Sequence, residues 1–248
     1  MIISSFVATP NPAITFPIIA DTAEYVIINK PAGVVVHQSE HHPVADTVVN
    51  SLLARYPALV NVGDDLLRPG IVQRLDQAVS GVMVVAKTQA MFVYLKQQFQ
   101  LHTVTKHYQA LVHGRFSRPA GEIHFSLARS KQKYTKMAAR PDTSGKPALT
   151  SYTVLKQYQH YTLLDVEIVT GRTHQIRVHL NAIGHPLIGE MVYLPKHFKS
   201  RLQPGRIFLH ASQLAFTTLT GELVSFTTPL PSELQRILDQ LAPAVLTA

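Results

Sequence analysis

The chain has 248 residues, 46% hydrophobic and only 15% charged, which is enough apolar surface for a full core and too little charge for a disordered polyelectrolyte. Lys and Arg number 23 against 15 Asp and Glu, a formal charge of +8, and a basic globular chain of this kind fits a polyanionic partner, nucleic acid above all. It contains no Cys, which excludes a disulfide framework and thiolate metal sites.

Residues 1–20 are apolar, hold several Pro and lack Lys and Arg. They read as a tail or an edge strand, without the basic start of a signal peptide. No apolar run approaches the roughly 20 residues a membrane helix needs, so the expected location is the cytoplasm. Residues 24–37 read as strand, turn, strand, with Pro31-Ala32-Gly33 at the break. Lys30 stands at that break, where a lysine is expected to be solvated. His41-His42 is the densest histidine pair, but adjacent side chains diverge, so no metal site is expected.

Asp46 or Thr47 is positioned to cap a helix with Val48, Val49, Leu52, Leu53 and Tyr56 on its apolar face. The turn Arg68-Pro69-Gly70 leads to Arg74-Leu75-Asp76, then Ser80-Gly81 and an apolar strand. In extended backbone Arg74 and Asp76 share a face. Thr88 is expected to cap a second helix that buries Met91, Phe92, Leu95 and Phe99. Residues 106–114 alternate as a strand does, placing Tyr108, Ala110 and Val112 together and Tyr108 inward.

Residues 129–149 form a basic stretch with Arg129, Lys131, Lys133, Lys136, Arg140 and Lys146, with Asp142 the acid and Tyr134 the aromatic among them. Such a loop suits phosphate tracking with some stacking. Strands follow near residues 151–154 and 161–169. Thr173 is then a candidate cap for a helix with Ile176, Leu180 and Ile183 on one face, ended by Gly184 and Pro186. Arg172, His174, Gln175, Arg177 and His179 crowd its start, a candidate floor for a site, with Arg177 on a side away from the apolar stripe. Residues 207–211, 213–216 and 223–226 read as strands. Ser232 and Gln235 make a capping-box pattern for a last helix burying Leu234, Ile237, Leu238 and Leu241. No repeat and no linker divides the chain, which reads as a single α+β domain over residues 1–248.

Several of these stretches, taken in order, resemble the RluA family of RNA pseudouridine synthases: Asn29-Lys30-Pro31-Ala32-Gly33, Arg74-Leu75-Asp76 with Ser80-Gly81, residues 106–112, residues 171–180, Gly184-His185-Pro186 and Leu209-His210-Ala211. The resemblance implies a central mixed, mostly antiparallel sheet with flanking helices. It implies isomerisation of uridine to pseudouridine in structured RNA, tRNA or rRNA, with no cofactor and no metal. It makes Asp76 the essential aspartate and Arg177 its partner. Tyr108 would stack on the target uracil, and Arg74 would enter the RNA where the base has left. Lys106, Arg129, Lys131, Lys133, Lys136, Arg140, Arg172 and His174 complete the expected RNA-binding set. The family pattern is departed from at Gln73, Val79 and Glu190; none of these removes a proposed chemical group, and they bear on the shape of the RNA-facing loop and with it the substrate. The chain starts close to the catalytic core, so a stand-alone catalytic domain without an N-terminal S4-type domain is expected. Nothing demands a protein partner or more than a monomer.

The chemistry suits these groups. A uridine must leave the stack, at a cost of a few kcal/mol, which phosphate contacts and a stacking aromatic can offset. An arginine keeps a buried aspartate ionised, and the ionised group can act as base or as nucleophile. Two other readings stand beside this one. One is an RNA-binding protein on the same fold with the chemistry lost. The other is a hydrolase using Asp76 with His174 or His179, for which no second carboxylate has motif spacing.

Overall fold

The molecule is described from a computed structural model covering residues 7–39, 42–130, 136–142, 144–194, 198, 200, 202 and 204–244. In chain order the first elements are β1 (Ile18–Asp21), β2 (Tyr25–Lys30), α1 (Val48–Arg55), β3 (Ser80–Ala86), α2 (Gln89–Gln100), β4 (Thr105–His113), β5 (Ala120–His124) and β6 (Ser126–Arg129). Then come β7 (Met137–Arg140), β8 (Leu149–Gln157), β9 (Tyr161–Ile168), α3 (Gln175–Ala182), β10 (Leu209–Thr217), β11 (Leu223–Thr227) and α4 (Ser232–Asp239). The result is a mostly antiparallel α+β fold. Its residues divide into two compact units, Met1–Val104 with Leu214–Thr228 and Thr105–Gln213 with Pro229–Ala248.

In the first unit the strands run β1-β2-β3-β10, with β11 on β10. Every residue of β3 is buried, as its unbroken apolar run requires of a strand covered on both faces. β2 pairs with β3 antiparallel, and Lys30 lies opposite Gly81 at the end of the ladder. β1 is the edge strand on β2. Thr47 caps α1 in a capping box with Asn50. The wholly buried Asn50 amide also donates to Thr9 O at 2.6 Å and to Gln38 Oε1 at 3.1 Å, tying down the residues that precede β1. Thr88 caps α2, which buries Met91, Phe92 and Leu95. The expected strand at residues 34–37 does not form. The carbonyls of Val35 and Val36 accept instead from the first amides of α1, Val48 and Val49, both at 3.0 Å, and so have no strand partner.

The second unit orders its strands β10-β4-β9-β8-β5. β4, β9, β8 and β5 are joined antiparallel. Phe208, Ile188, Leu111 and Leu163 form a core with Leu234 and Leu238 of α4. The proposed Ser232 cap is not realised. Pro231 occupies the N-cap position and no side chain closes it, its fixed φ being well suited to a helix start. A separate two-stranded sheet, β6-β7, carries part of the basic stretch. Among the described residues no helix is long and apolar enough to cross a membrane.

Candidate active site

Asp76 lies in irregular backbone before β3, not in a strand. Arg74 is exposed, Leu75 is 5% exposed and Asp76 is half-buried. Leu75 anchors the segment in the core, while its two charged neighbours keep more exposure. The Asp76 carbonyl accepts from Val79 N–H at 3.0 Å, so the chain turns at once into the buried strand. The next residue, Gln77, is clamped to the turn after β2. Gly33 N–H donates to Gln77 O at 2.8 Å, and Gln77 Nε2 donates to Gly33 O at 2.9 Å.

Lys30 corrects the expectation of a solvated lysine, because it is 0% exposed. Its ammonium donates to Pro31 O at 2.8 Å, Val34 O at 2.7 Å and Gln77 O at 3.3 Å. The turn Pro31-Ala32-Gly33 aims carbonyls inward, and the lysine is the cation that satisfies them. Thus Asp76 stands one residue from a backbone held by a buried charge. The sequence signal was the apolar run ahead of Lys30, which a surface lysine does not need. His37, nearby in the same unit, has its imidazole pushed down to about 4, by burial first and then by the cations Arg74 and Arg68.

In the second unit Tyr108 is 7% exposed and Ala110 and Val112 are 0% exposed, on one face of β4 as their alternation implied. Lys106 lies on that face too, 5% exposed. It donates to Val169 O at 3.1 Å, and burial lowers its ammonium to about 8, against the opposing pull of Glu167. It is therefore not the surface cation that phosphate binding needs.

The residues before α3 are ordered by Gln175 rather than by Thr173. Gln175 Oε1 accepts from Thr170 Oγ1 at 2.7 Å and from Arg172 N–H at 3.0 Å. Its amide donates to Leu149 O at 2.9 Å and Thr150 Oγ1 at 3.0 Å. With the backbone so fixed, the N-cap position falls to His174, which sits in the left-handed region at φ 55°. The helix is buried on every side from Gln175 to Leu180, so Arg177 is not on a solvated face. Its guanidinium forks onto Glu190, Nε to Oε2 at 2.8 Å and Nη2 to Oε1 at 2.9 Å. Glu190 is 1% exposed and also accepts from Val192 N–H at 2.7 Å and Tyr193 N–H at 3.3 Å. Burial raises its carboxyl, but Arg177 and the two amides hold it net below the usual carboxylate range. Sequence reading noted Glu190 only as a departure from a motif and missed it as a partner of Arg177. The signal available was a lone acid two residues after the apolar Pro186-Leu187-Ile188.

Of the basic stretch, Arg129 and Lys146 are exposed while Lys136 and Arg140 are half-buried; Lys131, Lys133 and Tyr134 lie outside the described residues. Arg172 is half-buried and donates from Nε to Pro147 O at 3.3 Å. His174, also half-buried, meets Tyr193 Oη through Nδ1 at 2.6 Å. Among the described residues no cluster of His, Asp or Glu is arranged to hold a metal ion.

Residues 24–182 match the family model described as RNA pseudouridylate synthase. The chain is 46% identical over 214 residues to an uncharacterized RNA pseudouridine synthase of Chloroflexus aurantiacus, covering 86% of this chain and 65% of that protein. It is 37% identical over 235 residues to ribosomal large subunit pseudouridine synthase D of Haemophilus influenzae, covering 90% of this chain and 70% of the relative. It thus spans about two thirds of the length of these relatives. The solved human RNA pseudouridylate synthase domain containing 1 superposes with a TM-score of 0.72 at 25% identity, over 96% of this chain and 93% of that one. The human domain containing 4 shares the fold, with a TM-score of 0.71 at 23% identity over 92% and 94%. The chain belongs to the RluA-type RNA pseudouridine synthases, a family of isomerases.

Proposed function

We propose that this chain isomerises a uridine to pseudouridine in structured RNA, with ribosomal RNA as the first substrate to test and tRNA as the second. The observation that carries the reading is the family match over residues 24–182, a span that contains Asp76, Tyr108 and Arg177. The name of the Haemophilus relative, a ribosomal large subunit enzyme, supports ribosomal RNA. Half-burial of Asp76 and near-complete burial of Tyr108 and Arg177 suit groups that act on a base taken out of the stack.

In this reading the C1′–N1 bond breaks, the uracil turns and a C1′–C5 bond forms. The proton on C5 is lost to solvent while N1 gains one, so the product is an isomer and no redox carrier is consumed. Asp76 is the base or nucleophile of the reaction. Tyr108 supports the uracil by stacking, and Arg177 supplies a counter-charge to the aspartate. Arg74, exposed beside Asp76, enters the helix in place of the flipped base. Arg129, Lys136, Arg140, Arg172 and His174 contact the RNA backbone, with Lys131 and Lys133 continuing the basic run. Lys106 is buried and bonded to Val169 O, so it is left out of the RNA-contacting set. The enzyme works in the cytoplasm as a monomer without cofactor.

The test is release of tritium from RNA labelled at uridine C5. The wild type releases it, and Asp76→Asn abolishes release while RNA binding survives. An RNA-binding protein without chemistry would bind the same RNA and release none. Pseudouridine mapping of total RNA, with and without the gene, then identifies the position.

A further inference from the structure

Tyr193 stands where the basic hairpin, the start of α3 and Arg177 meet, within the second unit. Its ring lies under the Arg177 guanidinium, 5.3 Å from centroid to carbon, and its own amide donates to Glu190 Oε1. Its hydroxyl accepts from Met137 N–H, the first residue of β7, at 3.1 Å. The same hydroxyl lies within hydrogen-bond distance of His174 Nδ1, at 2.6 Å. Which of the two donates follows the imidazole tautomer, and either direction ties the ring to the hydroxyl. Lys136, one residue before β7, donates to Val192 O and sits 5.9 Å from the Tyr193 ring centroid. Met137 and Ala139 pack with Tyr193 against Leu127, Ala148 and Val178. His174 keeps a left-handed backbone at φ 55°, a conformation that costs a non-glycine residue energy and persists only where its surroundings impose it.

We propose that Tyr193 is a positioning residue that latches the RNA-facing β6–β7 hairpin to the Arg177–Glu190 pair. Its hydroxyl holds the hairpin in place through Met137 and His174, and its ring supports the Arg177 guanidinium. RNA seated on the hairpin and the arginine of the proposed chemistry are thereby referred to one side chain. The inference deepens the proposed function and rests on it for its RNA arm, while its structural arm stands apart from any activity.

The two roles of the side chain separate by substitution. Tyr193→Phe keeps the ring and removes the hydroxyl. It is expected to speed hydrogen exchange at the Met137 amide about tenfold or more, since an amide without its acceptor loses protection. It is also expected to weaken RNA binding about fivefold, the scale of one hydrogen bond, with the single-turnover rate at saturating RNA within about twofold of wild type. Tyr193→Leu removes the ring as well and is expected to lower the saturated rate too. His174→Asn keeps a hydrogen-bonding amide near the same place and tolerates the left-handed backbone, so Met137 protection is retained; His174→Ala loses it. The latch is overturned if Tyr193→Phe leaves Met137 protection and RNA affinity at wild-type values, or if it lowers the saturated rate with affinity unchanged. A wild-type protein that binds RNA but releases no tritium would sink the enzymatic reading alone, because exchange and affinity still decide the latch.

Discussion

Lys30 shows how far one side chain can depart from the habit of its type. A wholly buried ammonium is costly unless its donors are used, and here three carbonyls take them. Lys30→Met keeps the length of the side chain but leaves those carbonyls unpaired. We expect a loss of about 3 kcal/mol in urea unfolding, together with a fall in tritium release because Gln77 beside Asp76 loses its clamp; an unchanged midpoint would refute the role. Two buried histidines couple stability to pH. Both His37 and His113 fall from 6.5 to about 4, each chiefly through burial. Between about pH 6.5 and pH 4 the unfolded chain therefore binds more protons than the folded one, and stability falls as pH drops through that window. His37→Gln should flatten the decline in urea midpoint measured at pH 6.5, 5.5 and 4.5. The motifs made Asp76, Tyr108 and Arg177 legible as candidates. They did not reveal Glu190 as a partner of Arg177, because a glutamate 13 positions away in sequence carries no periodic signal.

The elements follow local chemistry where local chemistry is strong. Thr47 and Thr88 cap their helices because each offers an oxygen to an amide three residues on. Thr173 and Ser232 have the same chemistry and do not cap, since Gln175 and Pro231 take over the two helix starts. Turns are governed by close approach. Gly70 has φ 70°, and a Cβ there would lie 2.4 Å from Ala86 O on β3. Gly70→Ala should cost about 3 kcal/mol, read as a lowered unfolding midpoint, because the Arg68–Gly70 turn must withdraw from β3. Gly189 is tighter, a Cβ falling 1.9 Å from Arg206 O. Gly189→Ala should move Glu190 off Arg177 and cost activity as well as stability. Neutralising Arg129 and Arg140 should reduce the slope of log affinity against log salt by about 1 to 2, if each meets a phosphate. An unchanged slope would make them solvated arms of β6 and β7.

Over the whole molecule, the charge of +8 favours encounter with RNA without choosing one. Full neutralisation of the hairpin should therefore weaken binding to specific and nonspecific RNA alike, while Asp76→Asn should change neither; gel-shift titrations at two salt concentrations check both. The sequence by itself determined the α+β class, the strands β2, β3, β4 and β9, the cap of α2, and the family through motifs kept in order; for α1 it left Asp46 and Thr47 as alternatives, and Thr47 is the cap. These rest on period, capping chemistry and apolar runs, all of which act within a few neighbouring residues. Only the tertiary structure decided that Lys30 and Lys106 are buried, that residues 34–37 serve the N-terminus of α1 instead of a ladder, that α3 is covered on every side from Gln175 to Leu180, and that Glu190 and Tyr193 gather round Arg177. The physical reason is desolvation. Whether a charge meets water or carbonyls depends on which distant segments fold over it, and that information is not present in the neighbours along the chain.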